Sequence, residues 1–262
     1  MRKKKSSSSP PIPVSSFPDP TATVQLAAKT RRMCAAAERG DTQAQYNLAI
    51  MYLTGRGVAR DDEAAAGWFH VAAKQGLAEA QYNLAVMYGE GRGVRQDAAK
   101  ALSWYRKAAA QGLVKAFFNL GVMYRDGDGA PQDDVKAVAC YAKAAAAGDP
   151  FAQSDLGAMY NSGRGVARDA VQAVAWFAKA AAQGCCLAQY NLGTMYEHGN
   201  GVARDTRQAI RWYRKAAVQG YARAREKLRE LETRQLLRYI SGNDGARRVA
   251  KQHRPQRLLP RQ

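Results

Sequence analysis

The stretch Ala80-Gln81-Tyr82-Asn83-Leu84-Ala85-Val86-Met87-Tyr88, followed by Gly91-Arg92-Gly93-Val94-Arg95-Gln96-Asp97 and by Trp104-Tyr105-Arg106-Lys107-Ala108-Ala109-Ala110-Gln111-Gly112, decides the fold of this 262-residue chain because it recurs. Ala80 has counterparts at Ala44, Ala116, Ala152, Ala188 and Ala224, each 36 residues from the last, and Leu84, Met87 and Tyr88 recur with it from Leu48 to Tyr196 without a slip in register. A fixed period of this length marks a tandem array, in which each unit buries its apolar face against its neighbours. The 47% hydrophobic content is therefore spread along a rod, and length is no guide to domain count.

Within one period, Ala44, Leu48, Met51 and Tyr52 follow i, i+4, i+7, i+8 spacing and share one face of a first helix. Gly55 and Gly57 close it, since glycine takes the positive φ that reverses a chain without a Cβ clash. Asp61, and its counterparts Asp97, Asp133, Asp169 and Asp205, stand where a side chain accepts a backbone N–H and caps a second helix. That helix carries Ala65, Trp68, Phe69, Ala72 and Ala73 as one stripe and ends at Gly76; the alanines allow close approach while the aromatics fill the space between units.

The predicted organisation is a Ser/Pro/Lys-rich disordered tail over 1–23, an array over 24–240 and a basic disordered tail over 241–262. The array comprises a half-repeat cap at 24–41, five repeats at 42–221 and a capping helix at 222–240, where Gln235 and Leu237 replace the two loop glycines. Net charge is +18, and both ends are basic. Such a balance allows nucleic acid or an anionic membrane as a weak electrostatic partner through the tails, but no nucleic-acid motif accompanies it. The basic start Met1–Lys5 runs into serines and prolines, which is not a Sec signal peptide, and no stretch is apolar enough to span a membrane. A cytoplasmic chain is expected, with the tail alternatively an address for non-Sec export of an effector. Cys34, Cys140, Cys185 and Cys186 follow no period, which suits a reducing compartment. Cys140 stands in the place of Trp68, Trp104, Trp176 and Trp212 and reads as a small core hydrophobe.

The motifs quoted above resemble those of the Sel-one-like repeat family, relatives of tetratricopeptide repeats, over roughly residues 24–240. The resemblance implies an all-α fold, a right-handed α/α superhelical solenoid of 36-residue helix-turn-helix repeats, and a role as a protein-binding scaffold. Some relatives carry a disulfide in every repeat, and a penicillin-binding activity is attributed to them; this chain lacks those cysteine pairs, so that activity is not carried over.

By the same resemblance the first helices line a concave groove. Its candidate partner-binding residues are Tyr46, Ile50, Leu53, Tyr82, Val86, Phe118, Val122, Arg125, Asn161, Tyr190 and Glu197, apolar and aromatic towards the front and more polar, with Ser154, towards the back. Buried aromatics tend to dominate interface energy, so the gradient suits a peptide or protein segment with a hydrophobic anchor; equally, the tyrosines could wedge helices apart. Asn47, Asn83, Asn119 and Asn191, with Asp155 in their register, form a ladder expected to bond neighbouring backbone. Lys107, Lys143, Lys179 and Lys215 read as a solvated face. No histidine has metal-ligand spacing, and no GxSxG, phosphate loop or dinucleotide fingerprint occurs. No catalytic residue, metal or cofactor is expected; the reading is a non-catalytic scaffold or adaptor.

Overall fold

The computed structural model describes residues 20–234 and 236–237, and among these every regular element is a helix. In chain order they are α1 (Pro20–Glu38), α2 (Thr42–Thr54), α3 (Asp62–Lys74), α4 (Ala78–Glu90), α5 (Ala98–Ala110), α6 (Val114–Asp126), α7 (Asp134–Ala146), α8 (Pro150–Ser162), α9 (Ala170–Ala182), α10 (Cys186–His198) and α11 (Thr206–Val218), with α12 over 222–234. Even-numbered helices from α2 to α10 are the first helices of the repeats and odd-numbered ones from α3 to α11 the second. The all-α helix-turn-helix architecture is thus the one the 36-residue period requires.

Three local devices set the geometry of each period. The first helix ends at a left-handed glycine, as at Gly55 (φ 72°), whose N–H is donated to Met51 O. The aspartate that opens the second helix then binds in two directions. Its N–H reaches back to the first helix, from Asp61 to Tyr52 O at 3.0 Å and from Asp205 to Tyr196 O at 2.9 Å. Its side chain accepts N–H groups of the new first turn, as Asp61 does from Glu63 and Ala64. The second loop glycine serves the contact between repeats, because a Cβ on Gly201 would lie 2.2 Å from Ala170 O at the start of the preceding second helix.

By its internal contacts the chain divides into two compact units that part in sequence within α5, between Trp104 and Tyr105. In the first, Ala49, Ala65, Phe69, Ala72, Ala80, Leu84 and Met87 make the core, and α1 closes its front by packing Ala37, Met33 and Cys34 near Ala44 and Leu48. In the second, Ala173, Phe177, Ala180, Leu192 and Met195 form one cluster, and Ala209, Ile210, Tyr213, Ala216 and Ala224 form another that includes Leu231 of α12.

α1 begins at Pro20, four residues before the expected cap, so 20–23 belong to a helix rather than to a tail. Proline suits a helix's first turn, where its missing N–H has no acceptor to lose. The expected tails over 1–19 and 241–262 and the end of the capping helix over 238–240 lie outside the described residues.

Candidate partner-binding surface

In the first unit Tyr46 is half-buried, its ring 5.7 Å from that of Phe69 on the second helix of the same repeat, and its Oη accepts from Asn83 Nδ2 of the next repeat at 3.3 Å. Ile50 and Leu53 pack partly exposed against the same core, and Tyr82 and Val86 are likewise half-buried. The first helices of this unit therefore offer an aromatic and aliphatic surface that is supported from below and open above.

In the second unit the same register positions differ in chemistry. Phe118 stacks obliquely on Tyr141 at 6.0 Å and on Phe151 at 6.2 Å, with Val122 half-buried one turn on. Arg125 donates to both carboxylate oxygens of Asp126 at 2.7 and 2.9 Å and reaches Asp155 at 3.4 Å. Asn161 accepts from Asn200 Nδ2 at 2.9 Å. Tyr190 is flanked by Tyr213 and Tyr221, at 5.4 and 5.2 Å.

Glu197 and Ser154 are not lining residues. Glu197 is 6% exposed and accepts from Tyr213 Oη at 2.7 Å, with Lys227 Nζ 3.7 Å away. A carboxylate so placed is held by its own neighbours and is withdrawn from the surface. Ser154, 2% exposed, stands where other repeats have Tyr46, Tyr82, Phe118 and Tyr190, and its Oγ finds no hydrogen-bond partner among the described residues.

Two rungs of the asparagine ladder bond side chains: Asn83 donates to Tyr46 and Asn47 accepts from Gln43 at 3.2 Å. Where the ladder breaks, opposite charges enter together. Asp155 meets Arg125, and Lys227, in the register of Asn191 one period on, meets Glu197; each pair spans 30 residues, with its signs reversed. Desolvation raises the pKa of Asp155, opposed first by Arg125. Arg125 itself is held charged above all by its hydrogen bond to Asp126.

A glutamine ladder does the work expected of the asparagines. Buried Gln45, Gln81, Gln153 and Gln189 each donate to the carbonyl eight residues earlier, at Ala37, Ala73, Ala145 and Ala181. Gln75, Gln183 and Gln219 then donate to Gln45, Gln153 and Gln189 at 2.7–2.9 Å. The third repeat has Phe117 and Ala147 in these two places, so both polar partners are lost together. That paired exchange was the signal in the sequence. The lysine row is likewise more ordered than a solvated face: Lys179 and Lys215 lie 4.1 and 4.2 Å from the centroids of Trp176 and Trp212, and Lys143, with Cys140 in the Trp place, lies over Phe117 at 5.0 Å. Cys140 is half-buried rather than a core residue, and that burial raises its thiol pKa.

Among the described residues no helix is long and apolar enough to cross a membrane. The Sel1 repeat model matches the chain over 42–77, 78–113, 114–149, 150–185 and 186–221. No curated protein matches the sequence. Among solved structures, the chain is similar to c5321, a protective antigen of uropathogenic Escherichia coli with an SLR fold, at 35% identity and TM-score 0.75 over 82% of this chain; it spans 49% of that antigen's length. It is also similar to a Sel1 repeat protein from Oxalobacter formigenes, at 31% identity and TM-score 0.69 over 79% of this chain and 85% of that one. Five contiguous repeat matches on a helix-turn-helix framework of the same period place this chain in the Sel1 repeat family, whose members are commonly protein–protein interaction scaffolds.

Proposed function

We propose that the chain is a non-catalytic scaffold or adaptor that holds a peptide or protein segment against the exposed faces of its first helices. The observation that carries this reading is the row of partly exposed aromatic and aliphatic side chains on those helices: Tyr46, Ile50, Leu53, Tyr82 and Val86 in the first unit, Phe118, Val122 and Tyr190 in the second. Such side chains, rigid at their base and open at their tip, are the usual anchors of an interface.

Site-specific photocrosslinking tests it. A benzophenone amino acid at Tyr82 or at Val122 is expected to crosslink a partner in native lysate, whereas one at Gln172, exposed on a second helix, gives none. The Val122 crosslink must also be lost when Phe118→Glu is added one turn away in the same unit. Equal crosslinking from all three positions overturns the assignment of the surface.

A further inference from the structure

On the first-helix face of α6 and α8 a half-buried phenylalanine and an exposed one adjoin a cluster with too few cations. Phe118, Val122 and Arg125 follow i, i+4, i+7 spacing on α6, while Phe151 and Asp155 follow i, i+4 on α8. The two helices meet at both ends of this strip: Phe118 is 6.2 Å from Phe151, and Arg125 is 3.4 Å from Asp155. Phe151 is 61% exposed, at a register position that holds Gln43, Glu79 and Lys115 in the earlier repeats. The core does not need it, and water does not favour it.

The charges beside it do not balance. Arg125 spends its bidentate contact on Asp126 and gives Asp155 only the longer bond. Arg164, whose guanidinium also bears on Asp126, spends its own bidentate contact on Asp134, so two guanidiniums serve the three carboxylates of Asp126, Asp134 and Asp155. The corresponding place between α10 and α12 is better matched: Glu197 takes the Tyr213 hydroxyl and faces Lys227, and Arg234 pairs with Glu230. An anionic ligand at the α6–α8 strip would meet a guanidinium already engaged and carboxylates that repel it. A cationic ligand would supply the missing charge to Asp155, which is desolvated.

We infer that the α6–α8 strip is a subsite for a peptide segment in which a lysine or arginine lies about one helical turn from a bulky apolar residue. The apolar side chain rests on Phe118, Val122 and Phe151, and the cation joins Asp126 and Asp155. This rests on the scaffold reading and names the partner chemistry at one part of that surface.

Two substitutions test the strip without threatening the fold, because each restores what other repeats carry at the same place. Asp155→Asn matches Asn47, Asn83, Asn119 and Asn191, and Phe151→Gln matches Gln43. The probe is a phage-displayed library of random 12-residue peptides panned against the full chain, with enriched sequences synthesised and titrated by fluorescence anisotropy. The expected peptides carry Lys or Arg within four residues of a bulky apolar residue and bind each variant at least about tenfold more weakly, as loss of a partner for a desolvated charge or of an aromatic anchor demands. Peptides that bind wild type and both variants alike, yet are lost with Tyr82→Glu, sink this inference and leave the scaffold reading standing. Enrichment of acidic sequences sinks it too. Failure to enrich any peptide removes both. Self-association of the full chain abolished by Phe151→Gln in sedimentation velocity makes a second copy the occupant, and also overturns it.

Discussion

Tyr141 and Tyr213 occupy the same place in the third and fifth repeats, and both are fully buried. Their hydroxyls are held unequally. Tyr213 donates to Glu197 and lies 3.0 Å from Thr194 Oγ1. In the third repeat those two neighbours become Arg125 and Val122; Tyr141 Oη makes no hydrogen bond of normal geometry among the described residues, and the carboxylate beside it is Asp155 of the next repeat. Burial raises the pKa of both phenols, with the nearby carboxylates adding to it. A buried hydroxyl without a partner costs its desolvation, whereas a satisfied one contributes modestly and leaves its acceptor stranded when removed. Tyr141→Phe is therefore expected to cost the chain clearly less than Tyr213→Phe, which should destabilise it by about 2 kcal/mol. Urea midpoints at constant m decide it; an equal or larger loss for Tyr141→Phe rejects the argument. Gly121 supports the first ring more tightly than an alanine could, since a Cβ there would come within 2.6 Å of Tyr141 ring carbons. Gly121→Ala gains helix propensity yet should cost about 1 kcal/mol net, because the ring must shift in a packed core.

Helices in this chain are joined by side-chain ladders that the apolar periodicity conceals. Loops, caps and core stripes were legible because each depends on one residue type: glycine for a positive φ, aspartate for an N-cap, alanine for a close approach. The ladders were not, since Gln153 and Gln183 are 30 residues apart and only the fold brings Nε2 within 2.9 Å of Oε1. The same blindness placed Glu197 on the open surface, because its burial depends on Tyr213 sixteen residues later. A double-mutant cycle on Gln153→Ala and Gln183→Ala should give a coupling of about 1 kcal/mol, a size expected of contacting residues in one network; additivity would show the bond to be idle. Titration of the caps is also an element-level property. Hydrogen bonds from the Lys100 and Lys136 side chains and backbones hold the Asp97 and Asp133 carboxyls below the usual range. A carboxylate depressed in the folded state contributes stability above its unfolded pKa near ~4 that is lost as pH falls through its folded value. Stability should thus decline from about pH 5 downwards. Asp133→Asn, which keeps a capping oxygen but does not titrate, should flatten that decline when thermal midpoints are followed from neutral to acid. Asp155 acts with the opposite sign: burial raises its pKa, so its charge costs stability at neutral pH and the cost is relieved as pH falls.

At the scale of the whole molecule, the period means that each repeat is held by its own two helices and by its immediate neighbours, so the chain should tolerate loss of a whole period and not of half of one. The case to make is removal of residues 150–185, which joins Asp149 to Cys186 with the register intact. Gln189 still reaches its own Gln219, and its backbone acceptor becomes Ala145, the group that Gln153 uses now. Gly201, which closes on Ala170, would meet Asp134 instead, as Gly165 already does with a would-be Cβ contact of 2.2 Å. Arg125 loses Asp155 but keeps Asp126 and faces Asn191, the residue type usual at that rung. The glutamine and loop-glycine contacts at the new junction are therefore ones the full chain already contains in equivalent form. Removal of 168–185 alone has no such equivalent, since it sets α8 against α10 as two first helices in succession, with no aromatic stripe between them. The expected outcome is a cooperative denaturant transition for the 36-residue deletion, with an m-value lower by about a sixth in proportion to the surface no longer exposed on unfolding. The 18-residue deletion is expected to give no cooperative transition by circular dichroism. A folded 18-residue deletion, or an unfolded 36-residue one, would show that something other than nearest-neighbour packing sustains the array.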